Sequence, residues 1–261
     1  MIGVFDSGLG GLSVLAAISR VLPAADLTYL ADSAHLPYGS KPDEFIRARV
    51  LAIGHHLAKH GCGLLVVACN TATAAAVQTL RDQHPDIPVV GIEPGIKPAA
   101  VSSKTRHIAV LTTESTAQSA RLTHLIDQHA SGLKVQVVAC PGWATRIETL
   151  DLGDPAFASE VTAKVVPLLE QGVDRLVLGC THYSFLLPLL EPLAAGRAEL
   201  IDVAAAVARQ VLRLAGPHAR GGGRLTMLAT ARPERLHKAP QALGLSNLVS
   251  RLSGATHQVQ I

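Results

Sequence analysis

Short apolar, β-branched runs alternate with longer amphipathic stretches along the whole chain, and this alternation constrains the fold more than any other feature. Ten runs read as strands: 2–5, 27–30, 64–68, 89–92, 107–111, 134–139, 175–179, 199–201, 225–229 and 257–260. Between them lie helical patterns such as 43–60, where Phe45, Ile46, Val50, Ile53 and Leu57 recur at spacings near three and four. Strands alternating with helices predict an α/β chain with mostly parallel sheets flanked by helices. Ten strands are more than an ordinary single sheet holds. Gly91-Ile92-Glu93-Pro94-Gly95 supplies a hinge, and a second crossing is expected near Asp202. The expected organisation is two similar α/β domains, residues 1–97 with 206–261 and residues 98–205, with a binding cleft between them. Gly221-Gly222-Gly223 reads as a turn.

Composition agrees with buried parallel sheets. Of 261 residues 48% are hydrophobic but only 3% aromatic, so the core is built from Leu, Val, Ile and Ala. The opening MIGVF reads directly as a strand, not a signal peptide, and no window approaches a membrane span of ~18 apolar residues. A soluble, cytoplasmic protein is expected. Cys62, Cys69, Cys140 and Cys180 show neither C-x-x-C nor zinc-site spacing, so no metal is called for and free thiols are expected. The segment from Pro217 onward carries six Arg or Lys against the single acid Glu234. No aromatics interleave these charges for base stacking, so a solvated basic face is expected, not a nucleic-acid surface.

Two stretches share a pattern with chemical content. LLVVACNTATAAA starts at Leu64 and RLVLGCTHYSFL at Arg175. Each is an apolar strand, a small residue, a Cys, two polar residues and a helical pattern. Ligands of open α/β sheets sit beyond the carboxyl ends of the strands, where helix N-termini also point. Such a corner favours thiolate over thiol. Cys69 and Cys180 are therefore expected to flank a common ligand, one from each half. Two opposed acid/base groups around one carbon suit removal of a proton from one face and delivery to the other, which inverts a stereocentre. Asn70, Thr71, Thr181 and His182 would hold the ligand's polar arms. On pattern alone, a pair of structural thiols remains an equal reading.

Three further segments make the pattern specific: VFDSGLGGLS from Val4, LADSAHLPYGSK from Leu30 and VGIEPGIKP from Val90. With ACNTATA and GCTHYSFL, in this order, they resemble the glutamate racemases of the aspartate/glutamate racemase superfamily, from the first strand to about Asp202 and weakly beyond. The resemblance implies interconversion of L- and D-glutamate, D-glutamate being a precursor of bacterial peptidoglycan, without pyridoxal phosphate or any other cofactor. It implies Cys69 and Cys180 as the two catalytic thiols, Asp6 as a carboxylate beside the first, and Glu148 and His182 beside the second. Asp6, Ser7, Tyr38, Gly39, Asn70, Thr71, Thr181 and His182 match substrate-binding positions, with Thr113 and Thr116 as further candidates. Homodimers are common in the family. Some members need a cell-wall precursor as activator and some are reported to affect DNA gyrase, so both are regulatory partners that the resemblance admits.

Each residue also has a plainer reading. Asp6 caps a helix; Tyr38 is a turn residue; His182 is solvated; Asp32 either caps a turn or shapes the cleft. Gly8-Leu9-Gly10-Gly11 lacks the third glycine of a dinucleotide loop, since Ser13 stands there. Cys62 and Cys140 lack the polar pair and read as bystanders. Glu148 keeps the family's interval from Cys140-Pro141, but Gly142-Trp143-Ala144-Thr145-Arg146 fills it differently. Trp143 is therefore expected to reshape one wall of the site and Arg146 to face solvent or a partner. Val203 also departs from the family's small polar residue or proline. The rival functions are a racemase for aspartate or another amino acid, and a non-catalytic binding protein that keeps the cleft for sensing or for holding another macromolecule.

Overall fold

The computed structural model describes residues 1–261 as two compact units, Met1–Ile92 with Ala204–Ile261, and Glu93–Val203. Ten strands form at the predicted places: β1 (Ile2–Asp6), β2 (Leu27–Ala31), β3 (Leu64–Val67), β4 (Val89–Gly91), β5 (His107–Thr112), β6 (Lys134–Ala139), β7 (Arg175–Leu178), β8 (Glu199–Ile201), β9 (Leu225–Ala229) and β10 (His257–Gln258). Every pairing is parallel.

The first unit is a six-stranded sheet in the order β10-β9-β2-β1-β3-β4. Its central strands are buried on both faces, which is why they read as unbroken apolar runs. Phe5, Leu65 and Val67 pack with Ile46, Val50, Ile53 and Leu57 of helix Asp43–Lys59 and with Ala72, Ala76, Val77 and Leu80 of helix Asn70–Gln83. Helix Leu12–Val21 packs against helix Ala204–Leu214, so the C-terminal segment completes this unit.

The second unit is a four-stranded sheet in the order β6-β5-β7-β8. Alternation along β5 divides its core: Ile108 and Val110 join Ile96, Leu122, Leu125 and Val177 on one face. Ala109 and Leu111 join Phe157, Val161, Val165 and Leu176 on the other.

The strand order places the functional corners. In the first sheet the chain reverses direction of travel at β1, which lies between β2 and β3. In the second it reverses at β5, between β6 and β7. The carboxyl ends at these switch points are where a doubly wound sheet leaves room for a ligand. They hold Asp6 and Cys69 in the first unit and Thr112 and Cys180 in the second.

One local expectation is corrected. The stretch after Cys69 is a 14-residue α-helix, but the stretch after Cys180 is a 3₁₀ segment, Thr181–Leu186, with α-helix beginning only at Leu187. Pro188 has no N–H to donate to Ser184 and sits in the first turn of the helix that begins at Leu187, a position where proline is favoured.

Candidate active site

In the first unit, Cys69 is the N-cap of helix Asn70–Gln83, and its Sγ accepts from the Ala72 N–H at 3.5 Å. Backbone N–H groups aimed at sulfur stabilise negative charge there. Ser7 Oγ lies 3.9 Å from Cys69 Sγ and donates to Asp6 Oδ1 at 3.1 Å, while the Gly8 N–H donates to the same oxygen at 2.7 Å. Asp6 is thus tied through Ser7 to the thiol, and its carboxylate serves its own loop rather than the following helix, whose N-cap is Gly11. The loop is braced by Tyr29, whose hydroxyl donates to the Gly8 carbonyl at 2.7 Å.

Asn70 and Thr71 are each 5% exposed. Neither polar atom of the Asn70 amide has a hydrogen-bond partner, although both are buried. A buried primary amide without partners costs stability unless something else satisfies it. A ligand with both donor and acceptor groups beside Cys69 would do so.

Tyr38 opens the 3₁₀ turn Tyr38–Ser40, which also contains Gly39, and is buried in the same apolar cluster as Cys69. Its hydroxyl donates to Asp32 Oδ2 at 2.6 Å. Asp32 resolves the open question of its role by acting as a hub. It also receives Arg49 Nε at 2.9 Å, Arg49 Nη2 at 3.0 Å and Thr230 Oγ1 at 2.9 Å, with His35 Nδ1 at 2.9 Å. Burial would raise this carboxyl's pKa, but the hydrogen bonds from Arg49, Tyr38 and His35 outweigh it and hold it below the usual 3.8. Burial and the Asp32 charge raise the Tyr38 phenol. No local pattern announces this hub: pairing of β2 with β9 brings Thr230 to Asp32, and Arg49 reaches it from helix Asp43–Lys59.

In the second unit, His182 is buried between two groups. Its Nε2 lies 2.6 Å from Glu148 Oε1 and its Nδ1 lies 3.7 Å from Cys180 Sγ. Burial alone would depress the imidazole, but its interactions with Cys180 and Glu148 raise it well above the ordinary His range. His182 is therefore a buried link between thiol and carboxylate, not a solvated residue. Gly179 brings the Cys180 corner close to β5, where a Cβ would meet the Leu111 carbonyl at 2.9 Å. Thr181 is 5% exposed. Thr113 caps the short helix Glu114–Ala117 and donates to Thr116 Oγ1 at 3.1 Å.

The other thiols are inert packing groups. Burial pushes Cys62 up to about 11 and Cys140 up to about 12. Trp143 corrects an expectation: it is completely buried in the core of the second unit and forms no exposed wall. Arg146 faces outward, where it pairs with Asp154 and lies over the Phe157 ring.

A family profile described as Asp/Glu/hydantoin racemase matches residues 2–211. The chain belongs to this racemase family. It is 49% identical to the glutamate racemase of Ectopseudomonas mendocina over 217 residues, 83% of this chain and 82% of that protein. Among solved structures, a Bacillus anthracis glutamate racemase matches with a TM-score of 0.86 at 30% identity, covering 100% of this chain and 97% of the other. The Escherichia coli glutamate racemase, solved with L-glutamate and the activator UDP-MurNAc-Ala, matches with a TM-score of 0.84 at 28% identity, covering 99% of this racemase and 97% of its own chain. The two parallel sheets flanked by helices are the architecture of these relatives.

Proposed function

We propose that this racemase interconverts L- and D-glutamate without a cofactor, by proton transfer between Cys69 and Cys180 on opposite faces of the substrate α-carbon. One observation carries the reading: in each unit a cysteine lies just beyond the strand that flanks the switch-point strand, β3 in the first and β7 in the second, with its own proton-handling neighbours. Cys69 has Ser7 and Asp6; Cys180 has His182 and Glu148. Identity to glutamate racemases over most of the chain supports glutamate as substrate.

In one direction a thiolate takes the α-proton and leaves an electron pair on carbon, and the opposite cysteine returns its S–H proton to the other face. The reverse direction exchanges the roles. His182, holding a proton between Glu148 and Cys180, stabilises thiolate when it is charged and accepts from thiol when it is not. Asp6, through Ser7, orients the first thiol and receives the substrate ammonium. The carbanion is stabilised by fixed donors around the substrate carboxylate, for which Ser7, Tyr38, Gly39, Asn70, Thr71 and Thr181 are the proposed set. Asn70 is the member whose unpaired amide most needs a polar ligand.

The proposed setting is the cytoplasm, as a homodimer, supplying D-glutamate for peptidoglycan. No helix is long and apolar enough to cross a membrane. The test is loss of optical rotation from L-glutamate and, separately, L-aspartate, followed by circular dichroism with and without UDP-MurNAc-alanine. Racemisation of glutamate alone is expected. Racemisation of aspartate alone would replace the substrate, and none with either compound, precursor present or absent, would refute the activity.

A further inference from the structure

Trp143 is the chain's only tryptophan and is fully buried, yet no proton-transfer role falls to it. Its helix, Trp143–Glu148, ends in the carboxylate that meets His182. The segment facing it, Thr181–Leu186, carries His182 and, next in sequence, Tyr183. Two contacts between these segments bear on the site. At one, Glu148 Oε1 and His182 Nε2 are 2.6 Å apart. At the other, the Trp143 and Tyr183 rings meet edge-on with centroids 5.4 Å apart.

Both rings are locked from behind. The indole N–H donates to Glu160 Oε1 at 2.9 Å, and Phe157 meets the indole edge-on at 6.2 Å. The Tyr183 hydroxyl reaches the carbonyls of Cys140 at 3.2 Å and Thr112 at 3.4 Å. A six-residue helix and a six-residue 3₁₀ segment are too short to hold their geometry by backbone hydrogen bonds alone. Their relative position has to come from packing, and this ring pair is an aromatic contact between them.

We infer that Trp143 is a positioning residue for the Glu148–His182–Cys180 chain: its ring, wedged against Tyr183, sets the spacing that holds His182 between carboxylate and thiol. The inference rests on the reading of Cys180 as an acid/base thiol. Removal of the wedge lets the two segments approach or slide, lengthening the His182 contacts. A shift of ~1 Å at such a contact costs about 10²-fold in rate.

The test compares Trp143→Leu, which keeps apolar bulk but removes the ring, with Trp143→Phe, which keeps a ring against Tyr183. Three quantities are read in the full chain: His182 titration by NMR without substrate, initial rates from each glutamate isomer, and primary isotope effects with α-deuterated L- and D-glutamate. Trp143→Leu is expected to lower kcat about 10²-fold with a smaller change in KM. His182 should titrate nearer its ordinary range, and the isotope effects for the two isomers should diverge because only one proton transfer is slowed. Trp143→Phe should recover most of each change. A folded Trp143→Leu protein with wild-type His182 titration and matched isotope effects would overturn the inference, as would equal damage by Trp143→Phe. If Trp143→Leu does not fold, Tyr183→Phe removes one anchor of the ring pair and should shift His182 in the same direction by less; an unmoved titration overturns the inference. Failure of the wild-type protein to racemise either isomer would refute the two-thiol reading, while the titration would still decide whether Trp143 positions His182.

Discussion

Asp32 is the buried charge on which the Tyr38 loop depends, and Asp32→Asn is the substitution that separates its charge from its shape. The carboxylate accepts four donors from Arg49, Tyr38 and Thr230, and it is fully buried while Arg49 is 13% exposed. Asparagine keeps one oxygen but turns an N–H₂ toward Arg49 Nε or Nη2, neither of which can accept. Arg49 is then a largely buried cation without its counter-ion, a defect of about 3–5 kcal/mol. At roughly 2–4 °C per kcal/mol for a protein of this size, the melting temperature should fall by about 10 °C. Urea and thermal melts by circular dichroism measure this. The double variant Asp32→Asn/Arg49→Met should recover part of the loss, because the stranded cation is removed. The wild-type contribution also has a defined pH window. The Asp32 pKa is depressed in the folded state, so its stabilisation is complete above the usual 3.8 and is lost as pH falls through the depressed value. Asp32→Asn should flatten stability against pH in that acid range. A loss under about 1 kcal/mol, or a double variant worse than the sum of its parts, would refute the hub.

Further outcomes follow from other contacts. Glu148→Gln removes the carboxylate 2.6 Å from His182, so the imidazole titration measured by NMR should fall and kcat should drop by about 10²-fold. Because the folded His182 pKa is raised, the stability it contributes is present below the ordinary His range and disappears as pH rises through the raised value, so the cost of Glu148→Gln should shrink over that rise. Gly11→Ala places a methyl 2.8 Å from Asp6 Cβ and 2.9 Å from the Tyr29 hydroxyl, and should destabilise by about 1–3 kcal/mol while lowering activity through the Asp6 loop. Iodoacetamide at pH 8 should leave Cys62 and Cys140 unlabelled in the folded protein, by mass spectrometry of peptides, and label them only after unfolding.

Much of the fold is legible because a strand buried on both faces leaves an unbroken apolar run. The central strands β1, β2, β3, β5 and β7 are legible from local sequence for this reason, and the half-exposed edge strands from their β-branched residues and flanking turns, whereas strand order depends on long-range pairing and is not. The reversal at β1 and β5 that sets the two corners is a product of that order. Cys69, Asn70 and Thr71 were legible because polar residues after an apolar strand have no packing explanation. His182 and Glu148, far apart in sequence, were paired only through the family resemblance, and the structure gives their contact a distance. The Asp32 hub was invisible because its donors come from a turn, a helix and the distant Thr230. Trp143 was misread as a site wall because an aromatic residue near a predicted site gives no sign of which way it faces.

The most direct measurement of the two-thiol mechanism is α-proton exchange of L- and D-glutamate in D₂O, followed separately by NMR for the wild type, Cys69→Ser and Cys180→Ser. The wild type should exchange and invert both isomers. Each single variant should lose inversion, with any remaining exchange confined to one isomer and to opposite isomers in the two variants. Full inversion by either variant, or the same surviving isomer in both, would contradict proton transfer by one thiol on each face.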